Sequence, residues 1–300
     1  MESSVVITSA VTVIKLLPFT SKETLRKCRY LEAISFPKTL FITSYPKSGT
    51  TWMQAIVFHV LSNGTLPLEH ISLFSPFYEN DKTWEKSNDC VADQYTENHK
   101  LLGLRVFNTH LLRSMLPRGE SFRYIYVYRN GRDVAISFFH HLSNQVGDGG
   151  LDADVKQFLS DWCDGTLPFG SWIGHLRSWL EDACCDRAGT DKILFMRYED
   201  MINDLSSCII EVSDFLDAKV SDARLVELTG MLKFESMKTC KELYQPISVE
   251  WKEGFEFLRK GKIGDSFPHF SDEEEALVNR MIHREFPNGI PTWFSTLNVL

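Results

Sequence analysis

Three short stretches carry side chains suited to holding anions, and a fourth carries a base. The first is Ser44-Tyr45-Pro46-Lys47-Ser48-Gly49-Thr50-Thr51-Trp52, which follows a β-rich run and leads directly into a helical pattern. A strand, a turn with a small flexible residue and a helix N-terminus together make an anion site. Free backbone N–H groups and the positive end of the helix dipole converge there. Gly49 permits the tight turn, Thr50 and Thr51 offer hydroxyl donors, and Lys47 adds a full positive charge. The nucleotide-triphosphatase loop is excluded, because that loop ends Gly-Lys-Ser/Thr and here the lysine precedes the glycine. Capping chemistry alone also explains Ser, Thr and Gly at such a junction, so the nine residues by themselves leave both readings open.

The second stretch, Tyr128-Arg129-Asn130-Gly131-Arg132-Asp133-Val134-Ala135-Ile136-Ser137, again runs from a strand into a helix. Arg129 sits at the strand end, where its guanidinium fork suits a phosphate; the plainer alternative is an i,i+4 pair with Asp133. The third, Arg259-Lys260-Gly261-Lys262-Ile263-Gly264-Asp265, is a basic run in a segment unsuited to helix or strand. The base is His110 in Phe107-Asn108-Thr109-His110-Leu111, just past another β-rich run. Histidine titrates near neutral pH and accepts protons in catalysis. Eight other histidines compete with it, at 59, 70, 99, 140, 141, 175, 269 and 283, and position at a strand's carboxyl end favours His110.

These residues need strands that end side by side. β-rich runs occur at Thr39–Thr43, Gly103–Phe107, Tyr124–Tyr128 and Ile193–Met196. They are nearly continuous in apolar residues, as expected of central strands buried on both faces. Helical patterns lie between them at Thr51–Leu61, Arg132–Leu142, Asp154–Trp162, Trp172–Leu180 and Asp204–Leu216. Strands alternating with helices predict one α/β domain with a central parallel sheet flanked by helices. In such sheets ligands bind beyond the carboxyl ends of the strands. Val146-Gly147-Asp148-Gly149-Gly150 reads as a mobile surface loop.

The bulk composition narrows the partners. The chain has 300 residues, 43% hydrophobic and 24% charged, with 32 basic against 40 acidic side chains and a net charge of −8. That is the wrong sign for coating nucleic acid, so an anionic ligand must find a local basic pocket. The stretch from Val5 to Leu17 is too short and too polar to span a membrane, and the opening Met1-Glu2 has no basic region of a signal peptide. Seven cysteines, an odd number, fit reduced thiols in a cytoplasmic protein better than a disulfide framework. There is no His/Cys cluster at metal-ligand spacing, and no metal is expected.

Together the motifs resemble the cytosolic sulfotransferase family, which uses 3′-phosphoadenosine 5′-phosphosulfate as donor. Ser44 to Trp52 resembles its 5′-phosphosulfate loop, Tyr128 to Ser137 its 3′-phosphate segment, and Arg259-Lys260-Gly261 its C-terminal Arg-Lys-Gly motif. Arg197-Tyr198-Glu199-Asp200-Met201 is similar to its tyrosine-containing turn, and the likeness runs from about Phe36 to Phe270. The resemblance implies a P-loop-nucleotide-kinase-like sulfotransferase fold over residues 36–300, preceded by a segment, 1–35, packing on or near the acceptor site. It implies that Lys47, Ser48, Gly49, Thr50 and Thr51 hold the phosphosulfate. It further implies that Arg129, Ser137, Arg259, Lys260 and Gly261 hold the second phosphate, and that Trp52, Tyr198 and Phe234 enclose the adenine. Leu232 stands where the family often has a hydroxyl. His110 matches the family's catalytic base, in-line with Lys47 on the leaving oxygen. Asn108 replaces the family's usual lysine, which puts the rate in doubt and not the reaction class.

The acceptor is a small molecule whose identity the sequence leaves open among phenol, alcohol, sterol and amine. Phe74, Phe77, Tyr78, Trp84, Phe138, Phe139 and His140 lie in segments expected to border it, with Phe77, Asn108, Phe139 and His140 as the candidate contacts. Asp148 and Asp152 offer charge for a cationic acceptor. Two rivals remain: a nucleotide-binding small-molecule kinase, and a relative that binds the nucleotide with weakened catalysis. The family's dimer motif is replaced around Phe267, Ser271-Asp272 and Ala276. There Ser271-Asp272-Glu273-Glu274-Glu275 reads as a helix N-cap and an acidic first turn. A monomer, or a dimer through another surface, is expected.

Overall fold

Strands buried on both faces read as apolar at every position, and four such runs form the centre of this molecule. The computed structural model describes residues 5–9, 12–15, 17–29, 38–84, 99, 101–147, 150–152, 154–185, 192–247, 249–264 and 270–300. Met1, Glu2, residues 30–36, Asp148, Gly149, Asp265, Phe267 and His269, named above, lie outside that set. In chain order the strands are β1 (Val5–Ser9), β2 (Thr12–Lys15), β3 (Thr39–Ser44), β4 (Arg105–Thr109), β5 (Phe122–Tyr128), β6 (Gln145–Val146), β7 (Lys192–Arg197) and β8 (Glu250–Trp251). β3, β4, β5 and β7 build a parallel sheet in the order β4-β3-β5-β7. β1 with β2, and β6 with β8, make small antiparallel pairs. The central four are the runs expected from the sequence.

The pleat sorts those runs into two different cores. Phe41, Phe107, Tyr124 and Tyr126 point to one face, where they meet Val134, Phe138, Trp162, Trp172 and Trp179. Leu40, Ile42, Val106, Ile125 and Val127 point to the other, against Met53, Ile56, Val57, Ile209 and Val212. The first face is therefore aromatic and covered by helices Gly131–Ser143, Val155–Asp164 and Trp172–Cys185. The second is aliphatic and covered by helices Thr50–Ser62 and Leu205–Phe215. Each fully buried large apolar side chain contributes about 1.5–3 kcal/mol, so both cores hold the strand ends in place. Among the described residues no helix is long and apolar enough to cross a membrane.

Most boundaries move by a residue or more from the sequence reading. The strand expected at Gly103–Phe107 is shifted to Arg105–Thr109. Gly103 turns with φ +64°, and pairing with β3 begins only at Thr39 opposite Arg105. The shift brings His110 to the residue immediately after the strand. The surface loop expected from Val146 begins one residue later, because Val146 pairs with Glu250.

β3 connects onward to β4 on one side, while β5 connects to β7 on the other. The chains leaving β3 and β5 thus part in opposite directions. This is the topological switch point at which open α/β sheets place their ligands, and residues 45–49 and 129–130 occupy it.

Candidate active site

The loop after β3 is shaped by two left-handed residues, Lys47 at φ +68° and Gly49 at φ +112°. A Cβ on Gly49 would lie 2.7 Å from Cδ2 of Tyr198, so glycine is needed for both conformation and space. Helix Thr50–Ser62 starts at once, with no side chain capping its first N–H groups. The Thr50 and Ser44 hydroxyls bond each other at 2.6 Å. The Ser48 hydroxyl is buried and without a hydrogen-bond partner among the described residues. Buried polar atoms are ordinarily satisfied, and Ser48 Oγ is one of several among the described residues that are not.

Lys47 reaches over the ring of Phe257, with Nζ 4.2 Å from its centroid, and approaches Nδ1 of His141 at 3.4 Å. Burial, and then the positive charges of Arg129 and Arg259, pull its pKa down to about 7. An anion placed beside this lysine would favour its charged form and raise the pKa again.

Arg129, buried at the end of β5, forms the second basic point. It lies 3.4 Å from Asp133, so the i,i+4 pair considered from the sequence is present. Yet that is only part of its environment. Its Nη1 donates to the Lys47 carbonyl at 3.4 Å, and Nη2, which also faces Asp133, donates to the Lys262 carbonyl at 3.2 Å. Its guanidinium stacks 4.2 Å over Tyr198, and its buried Nε has no hydrogen-bond partner among the described residues. Asp133 in turn accepts from the Gly264 N–H at 3.0 Å, which ties the segment after Arg259-Lys260-Gly261 to the helix carrying Ser137.

Trp52, Tyr198 and Phe234 come together beside this pair. Trp52 donates its indole N–H to the Leu232 carbonyl at 2.8 Å and meets Tyr198 edge-on at 5.6 Å. Phe234 lies so close over Gly261 that a Cβ there would fall 2.2 Å from its ring. Tyr198 opens the helix Tyr198–Asn203 directly after β7, so the expected turn is a strand-to-helix junction.

His110 is held from three sides. Its Nδ1 donates to the Ser44 carbonyl at 2.8 Å, which leaves the lone pair on Nε2. Its backbone N–H donates to Glu79 at 2.7 Å, and its carbonyl accepts from Nε2 of His175 at 3.0 Å. Tyr126 then donates to Nδ1 of His175 at 2.8 Å. Burial lowers the His110 pKa to about 4; the Ser44 bond opposes that shift and Lys47 adds to it. The imidazole is therefore neutral at physiological pH. Burial raises the Glu79 carboxyl to about 7.

One cavity of about 440 Å³ joins these parts. Lys47, Gly49, Thr50, Thr51, Trp52, Arg129, Ser137, Tyr198, Phe234, Arg259, Lys260 and Gly261 line one end, and Leu17, Phe19, Phe77, Phe138 and Phe169 the other, with His110 and Asn108 in the wall. Asn108 is pinned by donating to the Ser75 carbonyl at 2.5 Å. Phe139 and His140 do not reach this cavity: Phe139 packs on Phe158 at 5.3 Å, and His140 borders a separate depression with Asn144 and Glu253. Helical geometry explains the difference, since the side chain four residues after Ser137 shares its face and is His141. Phe74 and Tyr78 are core residues, and Trp84 donates to the Tyr78 carbonyl. Asp152 is exposed. The spacing from Ser137 was a legible signal for His141; Glu79, Phe169, His175 and Phe257 carried none.

The chain matches a family model described as the sulfotransferase domain over residues 37–288. It is 30% identical to the amine sulfotransferase of Oryctolagus cuniculus over 261 residues, covering 82% of this chain and 80% of that protein. It is 27% identical to sulfotransferase 1E1 of Mus musculus over 253 residues, covering 81% of each. Among solved structures, a mouse sulfotransferase complexed with PAP superposes with a TM-score of 0.70 at 23% identity over 97% of both chains. Retinol dehydratase in complex with retinol and PAP superposes at 0.68 and 22% identity, over 93% of this chain and 89% of that one. The fold is shared with both structures, and the domain match extends through every segment of the cavity's basic end: this chain belongs to the sulfotransferase family.

Proposed function

We propose that the protein moves a sulfuryl group from 3′-phosphoadenosine 5′-phosphosulfate to a hydroxyl or amine of a small molecule, with His110 as general base. The observation that carries the reading is the single cavity. It has two basic points at one end, an apolar lining at the other, and a neutral imidazole in its wall. The donor fits the residues present. Ser48 and Arg129 each hold a buried, unsatisfied polar atom, and Lys47 is a cation destabilised by its own surroundings. Relatives bound to PAP, and a relative named for amine acceptors, lend support.

The bound donor supplies an activated sulfuryl group. Lys47, the Ser48 hydroxyl and the N–H groups opening helix Thr50–Ser62 neutralise charge on the phosphate oxygen as it departs. Arg129, Ser137, Arg259 and Lys260 fix the second phosphate, and Trp52, Tyr198 and Phe234 the base. Nε2 of His110 takes the acceptor's proton as its oxygen or nitrogen attacks sulfur. Fixing the reactants in line removes much of the entropic barrier.

The segment before residue 36 belongs to the acceptor side on this reading. Leu17 and Phe19 line the cavity, and the Phe19 carbonyl accepts from the Asp81 N–H at 2.9 Å. A cytoplasmic setting accords with the free buried thiols of Cys28, Cys163 and Cys208.

Calorimetric titration tests the donor assignment, with tight binding of adenosine 3′,5′-bisphosphate expected and none of adenosine triphosphate. The reverse pattern would make the protein a kinase. A screen of phenols, alcohols, sterols and amines with labelled donor then identifies the acceptor, and label transferred to none of them would favour a binding protein.

A further inference from the structure

Lys47 is the one lysine the sequence reading places at the transferring group, because Asn108 stands where the family has another. Its backbone occupies a left-handed conformation at φ +68°, which costs a lysine energy and persists only where the surroundings hold it. Those surroundings are specific. The Lys47 carbonyl accepts from Arg129 at 3.4 Å, and its ammonium rests 4.2 Å over the Phe257 ring. The same ammonium points at Nδ1 of His141, 3.4 Å away.

His141 is itself locked. Its ring meets Trp251 edge-on at 4.9 Å and Phe257 at 6.2 Å, and lies 6.4 Å from Phe138. Trp251 lies in β8, which pairs with β6 beyond the end of His141's own helix. The imidazole lines the same cavity as Lys47, His110 and Ser137. Two charged or titratable groups act on it, Lys47 and His110. Both oppose its protonation, and burial opposes it more strongly still. Whenever Lys47 is protonated, a neutral imidazole can only accept from its ammonium, which puts the lone pair on Nδ1 and the proton on Nε2.

We propose that His141 is a positioning residue for sulfuryl transfer. Its Nδ1 and the face of Phe257 hold the Lys47 ammonium between the donor loop and the acceptor end of the cavity. The inference rests on the proposed function, in which Lys47 meets the departing phosphate oxygen. A flexible four-carbon side chain has many rotamers. An acceptor on one side and a ring on the other select those that keep the charge beside the loop. Without the second lysine, that restraint matters more here than where two cations share the work.

The test compares His141→Phe, which keeps the ring and loses the acceptor, with His141→Asn, whose Oδ1 replaces Nδ1. Lys47→Met is the reference. Turnover is measured with the best acceptor from the screen. Proton uptake on binding adenosine 3′,5′-bisphosphate is measured by calorimetry at pH 7.5 in two buffers of different ionisation enthalpy. With a Lys47 pKa of about 7, about three quarters of the lysine is neutral at that pH and takes up a proton when the nucleotide binds. Subtracting the Lys47→Met value isolates this share.

The expected result is a fall of about tenfold in kcat for His141→Phe, the loss of one hydrogen bond to a charged group. The donor KM stays within about twofold, because the binding charges lie elsewhere. Proton uptake rises, since Lys47 loses an acceptor that stabilised its charged form. His141→Asn recovers most of both. Equal impairment of Phe and Asn variants with wild-type proton uptake would show that His141 only packs, and would overturn the proposal, as would a His141→Phe enzyme unchanged in both measures. If Lys47→Met itself leaves nucleotide affinity and uptake untouched, the donor-loop assignment fails instead, and the two failures are told apart.

Discussion

Gly49→Ala addresses the geometry on which the proposed donor site depends. The added Cβ would stand 2.7 Å from Cδ2 and 3.3 Å from Cε2 of Tyr198, and 3.5 Å from Val127. Tyr198 cannot simply swing away. It is buried, flanked by Trp52 at 5.6 Å, and covered by the Arg129 guanidinium at 4.2 Å. The φ of +112° adds strain for any residue with a side chain. Backbone strain of this kind costs about 1–3 kcal/mol, and overpacking about 1–3 kcal/mol more. The sum predicts about 2–6 kcal/mol of lost stability, and a drop in affinity for adenosine 3′,5′-bisphosphate of at least about tenfold as Tyr198 and Arg129 are displaced together. Gly103→Ala is the control, at φ +64° with nothing within 4 Å of its added Cβ. It carries backbone strain alone, about 1 kcal/mol, and leaves nucleotide binding unchanged. Denaturant unfolding and calorimetric titration of both variants check the difference. Equal destabilisation of the two, with affinity retained in Gly49→Ala, would refute the argument that the Tyr198–Arg129 stack braces the loop.

Other outcomes follow from the same residues. His110→Ala should lose about a hundredfold to ten-thousandfold in turnover with nucleotide affinity nearly intact; loss of fold or of nucleotide binding would make His110 structural. Asn108→Lys should keep or raise the rate, and a collapse in activity would show that the bond from Asn108 to Ser75 has a role of its own. Nucleotide affinity should fall as pH rises above about 7, because Lys47 loses its proton in the free protein while the bound phosphate favours the charged form. Lys47→Met should flatten that limb, and an unchanged slope would mean another group titrates. Ser271 caps the helix Asp272–Glu285 in a capping box with Glu274. Glu273 and Glu275 are engaged by Lys156 at 2.6 Å and Arg132 at 2.8 Å within the chain. Light scattering at moderate salt should therefore report the 34.5 kDa monomer, or a dimer indifferent to changes at Ser271 and Asp272. A dimer broken by those changes would contradict this.

The four central strands were legible because burial on both faces writes itself as uninterrupted apolar residues, as in Leu40-Phe41-Ile42 and Ile125-Tyr126-Val127. The motifs after β3 and β5 were legible for a related reason: each is a contiguous strand-to-helix junction, so its local geometry is set by neighbours in sequence. What faces what across the cavity is a different matter. Phe139 and His140 were expected at the acceptor end and point elsewhere. A continuous aromatic run on a helix does not say which of its sides meets the cavity until the helix is docked. Glu79 and His175 come from segments 31 residues before and 65 residues after His110, yet both bond its backbone. Trp251 and Phe257 reach His141 from more than a hundred residues away. Local sequence carries backbone conformation, capping and the types of charge available. The pKa of His110, the orientation of its lone pair and the partner of Lys47 depend on burial and on contacts between distant segments, and those exist only once the sheet has brought its strand ends together.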